Sequence, residues 1–249
     1  VRDFVHSIIY ASDHLSVKSV GRELVLSVFI FHLIQTFKCI EVVDDSMSQL
    51  ITVEGLDGAG TTTLVSRLEE RMSDVVTTAE PSELWTGKQV RRCLKDESIH
   101  PLTDFYFFMG DRVHHIEEEV KPAISEGKTV ISDRYADSTR AYQPVGLVEC
   151  DHFYEQSDAK LFIEQVMAPW NFKPDVTIYV DISIDTAMER MDGDEKYEKR
   201  QFLEEVKENY DELVENEAER FIVIDGEQSK DEVVDEAITA LDLPPLDRI

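Results

Sequence analysis

The sequence predicts an α/β fold in three layers, a five-stranded parallel sheet with helices on both faces. Three observations predict it. From Leu50 onward, short apolar segments alternate with longer helical patterns. The short segments are apolar or β-branched on both faces, as strands buried in a parallel sheet must be. No internal repeat or Gly/Ser-rich linker interrupts the alternation, so a single domain is expected to hold it.

The elements follow in order. The first strand is Leu50 to Glu54, and a glycine-rich turn leads from it into a helix, Thr62 to Met72. Asp74 to Thr78 is the second strand, with helices Glu83 to Lys95 and Thr103 to Glu126 after it. The third strand is Thr129 to Ser132, and the next helix assigned is Ala159 to Val166. Val176 to Val180 then precedes helices Ile184 to Met191 and Glu198 to Asn216. The last strand and helix are Phe221 to Ile224 and Lys230 to Leu241. Right-handed crossovers between parallel strands put these helices on both sheet faces.

Residues 1–46 read differently. Their net charge is −2, so the acidic bias of the chain starts near Met47. We expect them to be a leader apart from a domain spanning 47–249, either non-native or poorly ordered; a helix from Arg22 to Phe37 is the alternative. The apolar run Leu24 to Ile34 is too short to span a bilayer.

Of 249 residues, 52 are acidic and 25 basic, giving a net charge of −27. That excess argues against a nucleic-acid or anionic-membrane partner, because like charges repel a polyanion. The acids are spread over most helices, which suits a salty cytoplasm where repulsion is screened within about 3 Å at 1 M salt. A halophilic protein is the expectation. Three cysteines, Cys39, Cys93 and Cys150, form no C-x-x-C pattern, so neither a zinc site nor a disulfide framework is expected. A reducing, cytoplasmic setting fits them.

The chemistry concentrates first in "VEGLDGAGTTTL". Gly55, Gly58 and Gly60 permit a tight turn whose backbone N–H groups converge on an anion. The helix beginning near Thr62 adds its unpaired amides and positive dipole end. In the pattern G-x-x-x-x-G-K-[ST], Thr61 stands where the lysine belongs and Thr62 where a hydroxyl reaches Mg²⁺. A neutral hydroxyl does not replace the lost charge. The competing reading is a glycine-rich turn that binds nothing.

Further along, "ISDRYADSTRAYQ" ends an apolar strand with Asp133, a carboxylate able to hold Mg²⁺, and Arg134, able to grip a phosphate. A structural ion pair is the alternative. In "FYFFMGDRVHH", Phe108 and Arg112 sit at i and i+4 on one helix face. That spacing lets a ring stack on a base while the guanidinium donates to a carbonyl oxygen. At least one of Phe105, Phe107 and Phe108 is expected in the core, and His114 and His115 at the surface.

Together these segments resemble the thymidylate kinase family of P-loop nucleoside-monophosphate kinases, from about Met47 to Leu241. The likeness rests most on D-R-Y followed by S-x-x-A-Y-Q, here Asp133, Arg134, Tyr135, Ser138, Ala141, Tyr142 and Gln143. It implies the P-loop NTPase fold and transfer of phosphate from ATP, with Mg²⁺, to dTMP. It further implies that Gly55, Asp57, Gly58, Ala59, Gly60, Thr61, Thr62 and Thr63 hold the ATP phosphates. Thr62 and Asp133 would hold the metal. Asp57, Phe108, Arg112, Arg134, Ser138, Tyr142 and Gln143 would bind dTMP, with Asp57 at the sugar and Tyr142 disfavouring a ribonucleotide. Glu80 and Pro81 match the family's E-P segment, but Ala79 stands where an arginine is common; Arg91 and Arg92 follow as alternative cations or solvated residues.

Members that carry a loop arginine place it where this chain has Gly58. "MERMDGDEKYEKRQF" resembles the family's lid, so Arg190, Lys196, Lys199 and Arg200 are the cations expected to compensate, with Arg134, Arg190, Lys196 and Arg200 catalytic. The resemblance also implies a homodimer, with the helix from Thr103 as a candidate contact. A kinase for another deoxynucleoside monophosphate and a catalytically weak nucleotide binder remain as alternatives. A dinucleotide-binding dehydrogenase does not fit the glycine spacing.

Overall fold

The β-branched and apolar runs become strands β1 (Leu50–Gly55), β2 (Val75–Ala79), β3 (Thr129–Asp133), β4 (Val176–Asp181) and β5 (Phe221–Asp225). They form one parallel sheet in the order β2-β3-β1-β4-β5. A computed structural model describes residues 48–96, 98–148, 150, 153–190 and 200–241. The chain divides into two units at Ser46–Met47, and every described residue belongs to the second. The leader and the lid lysines Lys196 and Lys199 lie outside the described residues.

All six residues of β1 are buried, so the central strand is as apolar-sided as expected. Its register sets Val53 beside Asp133 of β3 and Ile178 of β4. The strand order reverses around β1, and the carboxyl ends at this point open a crevice where α/β sheets hold ligands.

The helices are α1 (Thr61–Glu69), α2 (Trp85–Leu94), α3 (Pro101–His115), α4 (Lys121–Ser125), α5 (Ala136–Val148), α6 (Gln156–Met167), α7 (Ile184–Arg190), α8 (Arg200–Asn216) and α9 (Lys230–Ala240). The single long helix expected from Thr103 is α3 and α4 joined through a π-helical turn, Ile116–Val120. Helices α1 and α9 run side by side, with Arg67 3.9 Å from Asp231 and Arg71 3.7 Å from Asp235.

Helix α5 was not among the expected elements. Pro144 and Gly146 inside it argue against a helix locally. Burial overrides them: ten of its thirteen residues are buried. Its start is clamped by Arg220, which donates to both Asp137 oxygens at 2.7 and 2.8 Å. Among the described residues no helix is long and apolar enough to cross a membrane.

Candidate active site

After β1 the chain turns through Asp57–Gly60 into α1. Gly58 (φ 83°) and Gly60 (φ 94°) take the left-handed backbone that favours glycine. Gly58 is constrained from outside as well. A Cβ there would stand 3.0 Å from Arg190 Cβ and 3.3 Å from the Ala187 carbonyl oxygen. The end of α7 therefore fills the space over the loop. Arg190 Nη1 donates to the Gly58 carbonyl at 3.2 Å, and Nη2 to that of Gly226 at 3.5 Å.

The turn borders a cleft of about 530 Å³, whose lining includes every residue from Asp57 to Leu64. Three cations line it, Arg134, Arg190 and Lys230, against one acid, Asp57. In a chain of net charge −27 that local balance marks an anion site. Thr61 is the first residue of α1 and only 6% exposed, so its hydroxyl brings no charge into the cleft. Arg200 stands apart from this lining, paired with Asp185 and 3.8 Å from Glu204.

Below the loop, Thr62 Oγ1 donates to Asp133 Oδ2 at 2.5 Å. Asp133 Oδ1 is buried with no hydrogen-bond partner among the described residues. An orphaned carboxylate oxygen beside a hydroxyl is a donor set that fits Mg²⁺.

Arg134 adopts φ 65°, a strained region for a side chain and a common signature of functional positions. Its Nη2 donates to Asp57 Oδ1 at 2.6 Å, and its Nη1 to the Gly55 carbonyl at 2.9 Å and Ser138 Oγ at 3.1 Å. Tyr142 lies 5.3 Å beneath the guanidinium and accepts from the Asp57 amide at 3.1 Å. Glu54 anchors the assembly from inside the sheet. It accepts from the Tyr135 amide at 2.8 Å, from Ser138 Oγ at 2.5 Å and from the Tyr210 hydroxyl at 3.0 Å. Burial, assisted by the charge of Asp137, pushes the Glu54 carboxyl up to about 7.

Asp57 and Arg134 also wall a second cleft of about 310 Å³, lined besides by Arg91, Phe108, Arg112 and Gln143. Phe108 and Arg112 line it together, as their spacing predicts. Gln143 is 5% exposed and makes no hydrogen bond among the described residues, so its amide is available to a ligand. Arg91 donates to the carbonyls of Ser82 and Pro81 at 2.6 and 2.7 Å.

Arg112 is held more tightly than a helix-face residue. It is 1% exposed, and its Nε and Nη2 donate to Glu80 Oε2 at 2.8 and 2.6 Å. Further Nη2 bonds reach the Tyr135 carbonyl and Thr139 Oγ1 at 2.9 and 2.8 Å. Burial alone would raise the Glu80 carboxyl, but Arg112 and His115 outweigh it and hold it below the usual range.

A match to the thymidylate kinase family model covers residues 53–237. The chain belongs to the thymidylate kinase family. A probable thymidylate kinase of Natronomonas pharaonis is 35% identical over 198 residues, 78% of this chain and 97% of the relative. One of Halobacterium salinarum is 38% identical over 193 residues, 77% and 94% of the two chains. The crystal structure of thymidylate kinase from Ehrlichia chaffeensis aligns with a TM-score of 0.61 at 28% identity, covering 78% of this chain and 98% of that one. The Candida albicans thymidylate kinase, at 24% identity and a TM-score of 0.67, shares the fold over 78% of this chain and 91% of its own. This member is accordingly a nucleoside-monophosphate kinase, a phosphotransferase of nucleotide biosynthesis.

Within the thymidylate kinase frame, sequence reasoning missed two site features. Lys230 lines the 530 Å³ cleft beside the glycine-rich turn and makes no ion pair with another described residue. Its signal was a lysine at the first position of α9, whose start is fixed by the Ser229–Glu232 capping box. His115, expected at the surface, is fully buried. Glu80 draws it inward, with His115 Nδ1 3.0 Å from Oε1. His114 is half-buried, its Nδ1 3.0 Å from Thr86 Oγ1. Phe105 is the core phenylalanine, fully buried, while Phe107 is 40% exposed.

Proposed function

We propose that this enzyme transfers the γ-phosphoryl group of ATP to dTMP, giving dTDP. The observation that carries the proposal is the shared Asp57–Arg134 wall between an anion-binding cleft and an aromatic- and arginine-lined one. The loop from Gly55 to Thr63 would cradle the ATP phosphates on one side. On the other, Phe108 would stack on the base, and Arg112 and Gln143 would read its polar edge. Asp57 would meet the sugar, with Tyr142 closing the 2′ side against a ribonucleotide.

The acceptor phosphate is already anionic, so the protein needs no general base; positioning and charge stabilisation carry the catalysis. Arg134 lies between the clefts, where it would face the transferring group. Arg190 and Lys230 would supply on the donor side the charge that Thr61 does not. Arg91 would offer charge to the acceptor phosphate where Ala79 does not. Mg²⁺, held by Asp133 and Thr62, would neutralise charge on the transferring phosphates.

The same reading extends to assembly and setting. Tyr106, Phe107 and Val113 are exposed along one side of α3 beside Gly110, and a second copy of the chain would cover them as a homodimer. Residues 47–249 would form the catalytic unit, in a cytoplasm salty enough to screen the acidic surface.

ATP-dependent conversion of dTMP to dTDP in high salt, with Thr61→Lys assayed alongside, tests the proposal. Turnover by the wild type, with dCMP and ribonucleotides rejected, is expected. An inactive wild type beside an active Thr61→Lys would show that Arg190 and Lys230 do not compensate. ATP binding without turnover in either protein would overturn the kinase reading.

A further inference from the structure

The Arg112–Glu80 pair does not end at Glu80. Glu80 Oε1 lies 3.0 Å from His115 Nδ1, and His115 Nε2 lies 2.7 Å from Thr78 Oγ1. The same hydroxyl donates to Glu119 Oε2 at 2.8 Å, which is itself 3.5 Å from His115 Nε2. Glu119 is carried to this place by the π-helical turn after α3. Its side chain is 32% exposed, whereas those of His115, Glu80 and Arg112 are 0%, 4% and 1% exposed. A continuous hydrogen-bonded line therefore runs from solvent at Glu119 to the guanidinium that lines the acceptor-side cleft.

Counting protons along it leaves two states. Thr78 has a single hydroxyl proton. When that proton goes to Glu119, Nε2 must donate to Thr78 while Nδ1 donates to Glu80, and His115 is an imidazolium. When His115 is neutral, with Nδ1–H on Glu80, the Thr78 proton turns to Nε2 and Glu119 loses its bond. The Tyr135 ring also faces His115, edge-on at 6.4 Å. On its own helix the other described charge in the line is Arg112, on which Glu54 of β1 also acts. His115 thus sits between two carboxylates, Glu80 and Glu119, with Arg112 beyond the first.

We propose that His115 is a positioning residue whose protonation, set through Glu119 and Thr78, tunes the grip of Arg112 on the acceptor base. With His115 charged, Glu80 is shared between two cations, and Arg112 directs more of its field into the cleft. With His115 neutral, Glu80 compensates Arg112 more fully and the grip weakens. Acceptor affinity consequently falls as pH rises. The inference rests on the acceptor-cleft reading above.

Isothermal titration of thymidine, which has no phosphate to titrate, tests it between about pH 5.5 and 8, the window of histidine switches. Every chain compared carries Glu54→Gln as a common background, wild type meaning wild type at the other positions. The Glu54 carboxyl, raised to about 7, would otherwise act on Arg112 and Arg134 at this cleft over the same range. ATP binding is measured in parallel. Wild-type affinity is expected to fall about fivefold across that range, the lower end for coupled sites. Glu119→Gln removes a charge near the surface and is expected to hold affinity at the weak, high-pH level throughout. His115→Asn keeps a donor toward Glu80 and is expected to be flat with pH; if it does not fold, Glu119→Gln decides alone. A wild-type affinity that is flat with pH, or a slope kept in Glu119→Gln, overturns the proposal. Absence of thymidine and dTMP binding at every pH, with ATP still bound, would instead overturn the acceptor reading, and this inference with it.

Discussion

The Thr62 hydroxyl donates to one oxygen of Asp133 across 2.5 Å, and the other oxygen is buried with no hydrogen-bond partner among the described residues. If those two residues hold Mg²⁺, Asp133→Asn should raise the Mg²⁺ concentration for half-maximal rate about tenfold or more, a scale seen when groups supporting a metal are changed. An unchanged Mg²⁺ dependence would remove Asp133 from the metal's ligands.

Gly58→Ala should be felt twice. A side chain at φ 83° costs about 1–2 kcal/mol of stability. The added methyl also meets Arg190 Cβ at 3.0 Å and should push the end of α7 off the loop. Urea unfolding reads the first effect, and a higher KM for ATP with an unaltered KM for dTMP reads the second. Lost stability with wild-type ATP kinetics would show that Arg190 does not serve the donor side.

Asp137→Asn should be among the most damaging single changes outside the clefts. It takes from the buried Arg220 its more buried carboxylate, leaving Glu217 at 2.8 Å, and weakens the Arg140 contact at 3.1 Å. Removing one member of a buried pair costs about 3–5 kcal/mol, an upper limit here because Glu217 stays with Arg220. Denaturant midpoints should fall accordingly, and a cost within error would mean that water or relaxation rescues Arg220.

Glu54 gives a pH signature of stability. Its carboxyl is raised from 4.5 to about 7, so between those values the folded chain holds a proton that the unfolded chain has released. Its contribution is therefore fully present below about 4.5 and is lost as pH climbs through about 7, by at most about 3 kcal/mol. Glu54→Gln keeps an acceptor for the Tyr135 amide and presents an NH₂ to the Ser138 and Tyr210 hydroxyls. Its unfolding free energy, measured at fixed salt, should lack the decline that the wild type shows over that interval. Parallel pH curves for the two proteins would contradict the assignment.

The strands were legible because most are β-branched or apolar on both faces, and their observed limits differ from the expected ones by a residue or so. The placing of the glycine-rich turn, Asp133, Arg134 and the Phe108–Arg112 pair was legible because local spacing alone brings them to one sheet edge or one helix face. Helix α5 was not, since Pro144 and Gly146 speak against it and only burial makes it form. Nor was the fate of Arg112 and His115. A buried charge is located by its partner, and Glu80 is 32 and 35 residues away in sequence. Lys230 was hidden likewise, because its place beside the glycine-rich turn follows from α9 lying along α1.

The partition formed by Asp57 and Arg134 also limits how such a protein can diverge. Two neighbouring rooms with one dividing wall cannot be remodelled separately. With the clefts in their proposed roles, a substitution that suits a new phosphate acceptor at this wall would be screened at once by its effect on the phosphate donor. Change of substrate preference is thus channelled to the outer residues, Phe108, Gln143 and Arg91 on one side and Arg190 and Lys230 on the other. An inhibitor that straddles the partition would meet the surface least able to mutate away from it.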